Sequence, residues 1–227
     1  MCSEVIPRWD RRGESKHRRD KESGNFMIVY DRAQMAPSVQ GKYPTLDSLY
    51  NTIPRNTREH MERVGRYSEC FFEELCRRFP DAMARSVHAS FPAKSEAIFR
   101  YHDLGRAYIP ASILKKVGKL TDEERQIIQN HTIYAANAVE SVYQFPFQGE
   151  LLEDFFDVAM YHHERYDGEG YPFHRKGEEI PLLARICSLA DVFDGIVSWK
   201  PYKPKQTTRQ QAGEIILSEA GKQFDAQ

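Results

Sequence analysis

No stretch of this 227-residue chain is apolar over the ~18 residues a membrane-spanning helix needs, so nothing in it reads as transmembrane. The opening MCSEVIPRWDRRGESK carries charges where a secretory signal needs an apolar run. Cysteine is scarce. Cys2, Cys70, Cys76 and Cys187 include no pair at CxxC spacing, which argues against a disulfide scaffold or a structural zinc site and leaves reduced thiols in a cytoplasmic protein as the expectation. A basic excess is also missing, since 32 Lys and Arg stand against 33 Asp and Glu. Dedicated binders of long nucleic acid need that excess, whereas a small anion needs only a local basic cluster. Strand-like alternation and internal repeats are absent too.

What remains is a globular composition, 41% hydrophobic and 12% aromatic, long enough to bury a core without staples. Residues 1–42 stand apart. Arg8 to Glu22 holds seven basic against four acidic residues and almost nothing apolar, which predicts a mobile charged segment. Within it Phe26 to Tyr30, FMIVY, is an apolar island suited to one strand or a docking segment. From Tyr43 the pattern is helical. Met61, Val64, Phe71 and Leu75 fall at helical spacing within Thr57–Phe79. Further helices are expected over Ala93–His102, over Leu151–His163 with Phe155, Val158 and Ala159 inward, from Pro181 to Ser198, and over Thr208–Ala220. Thr121 and Glu124 form a capping box that starts a helix carrying Ile127, Ile128, Ala135 and Val139 on one stripe. The fold class is all-α.

Polar residues interrupt these apolar stripes. His131 lies four after Ile127 and four before Ala135, and His162 lies four after Val158, so both sit on buried faces. His60 shares a side with Val64, Tyr67 and Phe71. Asp191 is four after Cys187, with Asp194 three further on, and His102 and Asp103 end the apolar run AIFRYHD. A single histidine on an apolar face is ordinarily a satisfied core residue. Five histidines and three aspartates converging from five helices are another matter, because a buried carboxylate without a partner costs several kcal/mol. A metal centre inside the bundle accounts for all of them at once, and imidazole with carboxylate suits iron, manganese, zinc or nickel.

Taken in order, EHMERV, HDLGRAYIP, the helix-borne His131, HHERYDGEGYP and LARICSLADVFDGIVSWKPYK resemble the HD-GYP subgroup of the HD superfamily of metal-dependent phosphohydrolases. ILKKVGKLTDEE and GEEIPL fit the same family, and the resemblance runs from about Tyr43 to Asp225. It implies an HD-domain helical bundle over 43–227 with two divalent ions, iron or manganese ahead of zinc or nickel. His60, His102, Asp103 and Asp191 would serve one ion, with Asp103 bridging to a second that His131, His162 and His163 complete. The resemblance also implies substrate contacts from Arg106, Tyr171, Lys200 and Lys203, with Arg106 assisting catalysis beside Asp103. Asp194 reads as a partner that orients a ligand or a lysine ahead of a direct ligand. Asn56 stands where some members place a third-metal glutamate, so two ions are expected rather than three. Gly168, Gly170 and Pro172 read as turn requirements, and His17, His88 and His174 as surface residues. The ending EAGKQFDAQ falls short of the family's further helix, so the last packing layer is expected to be truncated.

The function implied is hydrolysis of cyclic di-GMP to linear pGpG or GMP. Two ions ~3.5–4 Å apart would bind the phosphate oxygens and acidify an attacking water. Two other readings stay open. One is a non-catalytic sensor or adaptor that binds the dinucleotide, or a diguanylate cyclase (GGDEF) domain through the GYP surface. The other is a phosphodiesterase for a different dinucleotide such as 3',3'-cyclic GMP-AMP. A homodimer fits family habit, although no heptad pattern supports one.

Overall fold

The computed structural model describes residues 41–198 and 206–226, together with the backbone at 18–19 and 26–27. Contacts divide the chain into Met1–Ser38 and Val39–Gln227. In the first unit β1 (Arg18–Arg19) pairs antiparallel with β2 (Phe26–Met27), so the apolar island contributes two residues of strand. The rest of the expected mobile segment, and His17, Lys200 and Lys203, lie outside the described residues.

The second unit is a helical bundle. Its elements in order are β3 (Tyr43–Thr45), α1 (Leu46–Tyr50), α2 (Arg55–Arg78), α3 (Pro80–Ser86), α4 (Ser95–Arg100), α5 (Ala111–Leu114), α6 (Asp122–Gln129), α7 (Ala135–Ser141), β4 (Val142–Gln144), α8 (Glu150–Tyr161), α9 (Leu182–Val197) and α10 (Arg209–Ser218). Short 3-10 turns occupy Phe91–Lys94, Tyr101–Tyr108 and Gly177–Glu179. Among the described residues no helix is long and apolar enough to cross a membrane. Among the described residues this unit departs from the all-helical expectation in a parallel pairing of β3 with β4, Tyr43 opposite Val142 and Thr45 opposite Gln144, and in an isolated bridge between Ala220 and Phe224. Each strand has three residues, too short for alternation to register.

α2 is the spine, packed along α4 on one side and α9 on the other, while α8 lies against α9 and the Tyr101–Tyr108 turn. Met61, Val64 and Phe72 of α2 are buried, whereas Phe71, expected inward, is only half-buried beside Phe193. Phe72, Phe91 and Phe99 meet edge to face in a chain with ring centroids 5.0 and 5.5 Å apart. A second aromatic group joins Phe145, Phe147 and Phe155.

Two expected helices are broken where the sequence pattern ran on. The Thr121 capping box forms, but its helix stops at Gln129 and resumes at Ala135. At the break the backbone tightens to bonds three residues back, from the N–H of His131 to the Ile128 carbonyl at 3.1 Å and from that of Thr132 to the Gln129 carbonyl at 3.3 Å. The same two carbonyls also accept from side chains, His131 Nδ1 at 2.7 Å and Thr132 Oγ1 at 3.0 Å. His131 is therefore in a turn, not on a helix, although it is fully buried. Likewise the helix expected over Ala93–His102 is a 3-10 turn, a short α4 and a second 3-10 turn, and the last of these carries His102 and Asp103. His88, expected at the surface, is half-buried and bonds Asp154 through Nδ1 at 2.9 Å. His174 is exposed, as expected.

Phe99 is completely buried between α2 and Phe91. Phe99→Ala is expected to lower unfolding free energy by about 3–5 kcal/mol, read from the midpoint of chemical denaturation.

Candidate metal centre

Helix ends and turns supply most of the site. His60 comes from the first turns of α2, His102 and Asp103 from the 3-10 turn, and His131 from the α6–α7 break. His162 caps the C-terminus of α8 with His163 just beyond, and Asp191 and Asp194 come from α9. A residue at a helix end escapes the 100° rotation per residue, so the adjacent His162 and His163 can both face inward.

The hydrogen bonds of the imidazoles fix their tautomers. Nδ1 of His102 lies 2.9 Å from the Phe99 carbonyl, Nδ1 of His131 lies 2.7 Å from that of Ile128, and Nδ1 of His162 lies 3.1 Å from those of Val158 and Ala159. A carbonyl only accepts, so each Nδ1 carries its proton and, in the neutral ring, each Nε2 is bare. These bare nitrogens point at one another and at carboxylates. Nε2 of His131 is 3.4 Å from Nε2 of His162 and 3.0 Å from Asp103 Oδ1. Nε2 of His102 and both oxygens of Asp103 are buried and make no hydrogen bond. Lone pairs facing one another in a dry core repel unless a cation lies between them.

Their spacing suits one. Two ligand atoms each about 2.1 Å from the same ion stand roughly 3.0–3.4 Å apart. The donor atoms of Asp103, His131, His162 and His163 lie within 4.8 Å of one another, and those of His60, His102 and Asp191 form a second group on the same criterion. His60 Nε2 is 3.1 Å from Asp191 Oδ1. Asp103 faces both groups: Oδ1 is 3.0 Å from His131 and 3.8 Å from His162, while Oδ2 is 3.6 Å from His102 and 4.0 Å from His60. The seven residues expected as ligands from sequence are thus together, in two groups that meet at one carboxylate, and this donor set fits a pair of divalent ions.

Protonation states agree with that chemistry, which needs neutral imidazole and ionised carboxylate. Burial holds His102 below the usual imidazole range, and holds His162 well below it with the neighbouring rings adding to the effect. Burial likewise pushes His163 down to about 3. Burial would raise Asp103, but Arg106 and the imidazoles around it outweigh burial and hold it well below the carboxylate range. His60 is the exception. Burial lowers it, yet bonds to Asp191 and Asp194 prevail and raise it to about 10.

Around this centre sit the other residues singled out from sequence. Arg106 Nε lies 2.6 Å from Asp103 Oδ2, close enough for strong attraction though not aimed as a hydrogen bond. The Tyr171 ring stacks on His163 with centroids 4.8 Å apart. Asp194 stands behind His60, its Oδ2 2.7 Å from Nδ1. Asn56 is exposed on the rim of a neighbouring cleft, and Glu59 is engaged with Arg55 at 2.7 Å.

Three supporting residues escaped the sequence reading. Gly105 has no room for a side chain, since a Cβ would sit 1.9 Å from the His131 carbonyl oxygen. That close approach is what carries the α6–α7 turn to Asp103. Glu164, directly after the paired histidines, is buried and accepts from the backbone N–H of Phe173 at 2.7 Å and of Arg175 at 3.0 Å, pinning the GYP loop. Gly170 belongs to the same device, because a Cβ there would meet the Arg165 nitrogen at 2.3 Å. Arg63 holds Asp194 through two bonds. The only sequence signal for Arg63 was its place three residues after His60.

Comparison with known proteins now defines the class. The family model for the HD domain matches residues 56–227, and the chain belongs to that family. The HHERYDGEGYP segment, which carries the resemblance to the HD-GYP subgroup, lies within the matched residues. A cyclic di-GMP phosphodiesterase of Vibrio cholerae is 34% identical over 184 residues, 80% of this chain and 36% of the relative. A 3'3'-cGAMP-specific phosphodiesterase 2 of the same organism is 32% identical over 186 residues, 78% of this chain and 32% of the relative. A cyclic di-GMP phosphodiesterase of Thermotoga maritima is 34% identical over 170 residues, 75% of this chain and 42% of the relative. The chain therefore spans well under half the length of these relatives.

Gly105→Ala is expected to push the His131 turn outward, costing roughly 1–3 kcal/mol of stability and loosening metal retention. Denaturation midpoint and metal content after dialysis check both effects.

Proposed function

We propose that residues 43–227 form a metal-dependent phosphodiesterase that hydrolyses cyclic di-GMP to linear pGpG or GMP in the cytoplasm, holding two divalent ions, iron or manganese. The observation that carries this reading is Asp103, one buried carboxylate facing two groups of potential ligand atoms. Ions bound there would supply Lewis-acid contact to the phosphate and an acidified water. The chain's own residues supply the rest. His60, His102 and Asp191 hold one side, His131, His162 and His163 the other, and Asp103 joins them. Arg106 places a guanidinium beside the reacting phosphate, where its fork matches phosphate oxygens. Tyr171, held by the Glu164-pinned loop and by its stack on His163, forms a wall of the site. Lys200 and Lys203 are proposed as further phosphate contacts. Asn56 lacks the carboxylate a third ion would need. The GYP loop is the surface proposed for a GGDEF-domain partner.

The relative that is named for 3'3'-cGAMP supports a second reading of the substrate, a mixed guanine–adenine dinucleotide on the same chemistry.

Protein purified without oxygen, with its metals counted, should convert cyclic di-GMP to linear product. Asp103→Ala should reduce turnover by at least about a hundredfold, since it removes the shared ligand and the charge stabilisation together. Faster turnover of 3',3'-cyclic GMP-AMP in direct competition would select the second reading. Two bound metals with both dinucleotides left intact would sink both.

A further inference from the structure

We propose that Arg63 is a positioning residue for the metal centre, acting on His60 through Asp194; this rests on the metal-centre reading above. Four of the candidate ligand histidines have an anchored Nδ1, and they are not anchored alike. His102, His131 and His162 are held by main-chain carbonyls, which the helices themselves fix. His60 is held by a side chain, Asp194 Oδ2 at 2.7 Å. A side-chain carboxylate can rotate, so something must set its plane before it can set an imidazole.

Arg63 does so. Its Nε donates to Asp194 Oδ1 at 2.7 Å and its Nη2 to Oδ2 at 3.0 Å, a two-pronged contact that fixes the carboxylate plane as well as its place. Ser198 Oγ adds a bond to Oδ1 at 3.0 Å. Asp194 is 1% exposed, so its charge needs a cation at hand. Arg63 follows His60 by three residues and leaves the same face of α2. Asp191 and Asp194 are also three apart, on α9. The helices thus meet as a two-by-two clamp, in which His60 touches both aspartates and Arg63 locks the outer one. The Arg63 side chain also borders a cleft of about 810 Å³ with Asn56, Tyr67 and Ser198, so it sits between solvent and the ligand it steadies.

The test compares wild type, Arg63→Ala and Arg63→Lys, each stripped and reloaded with Mn(II), with the dissociation constants of both ions measured by chelator competition. The expected result is one ion bound about 10–100-fold more weakly in Arg63→Ala, as for loss of an outer partner of a metal-ligating histidine, with the other ion held as in wild type. Arg63→Lys should shift in the same direction, because an ammonium keeps the charge but not the fork. It carries the comparison if the alanine variant does not fold. Two dissociation constants unchanged in the variants, with only the melting temperature of metal-free protein lowered, would overturn the proposal and leave Arg63 as a structural residue. Wild-type protein that binds no Mn(II) overturns the metal centre and this inference with it. Wild-type protein that binds two ions yet cleaves no cyclic dinucleotide overturns the proposed substrate alone, and the contrast in ion affinity then still supports the role of Arg63.

Discussion

The constraint on which the rest of this structure depends is the commitment of three Nδ1–H groups to carbonyls. Once His102, His131 and His162 each give that proton away, their Nε2 atoms are left bare in a core where water is excluded. Bare nitrogens a few ångströms from ionised Asp103 are tolerable only around a positive charge. Burial reinforces this, because it disfavours the imidazolium that would otherwise relieve the repulsion. The bundle is therefore arranged for cations as much as for itself.

That commitment is made where helices stop. The last carbonyls of a helix are the ones with acceptor capacity to spare. The α6–α7 break at His131 and the end of α8 at His162 are both sites where an imidazole uses such a carbonyl. Ligand presentation and helix termination coincide here. The same economy places Gly105 beside Asp103, where the missing side chain admits the His131 turn.

Much of this was legible in the sequence. Helical periodicity located α2, α8 and α9, and it exposed the histidines and aspartates because polar residues on apolar stripes need an explanation. The capping residue Thr121 marked a helix start to the residue. Periodicity failed at the α6–α7 break, since a stripe of Ile127, Ile128, Ala135 and Val139 extends smoothly across a turn it does not encode. The three-residue strands were below the length at which alternation speaks. Arg63 and Glu164 were missed for a different reason. A charged residue on a helix or after a histidine pair reads as solvent-facing, and only the fold shows that each faces a buried partner. His88 was missed in the same way, through Asp154.

The GYP loop shows how little covalent material a rigid wall requires. Glu164 binds two backbone N–H groups across the loop, Gly170 lets the chains touch, and Tyr171 is left lying flat on His163. The anchoring of the histidines carries a consequence for how such a site changes over generations. Three of them are tethered to main-chain atoms that every sequence possesses, so substitutions nearby leave the tether in place. His60 alone hangs on a side chain that hangs on another side chain. Among the four anchored histidines of the candidate centre, that branch is the one drift can cut without replacing a candidate ligand or touching the main chain.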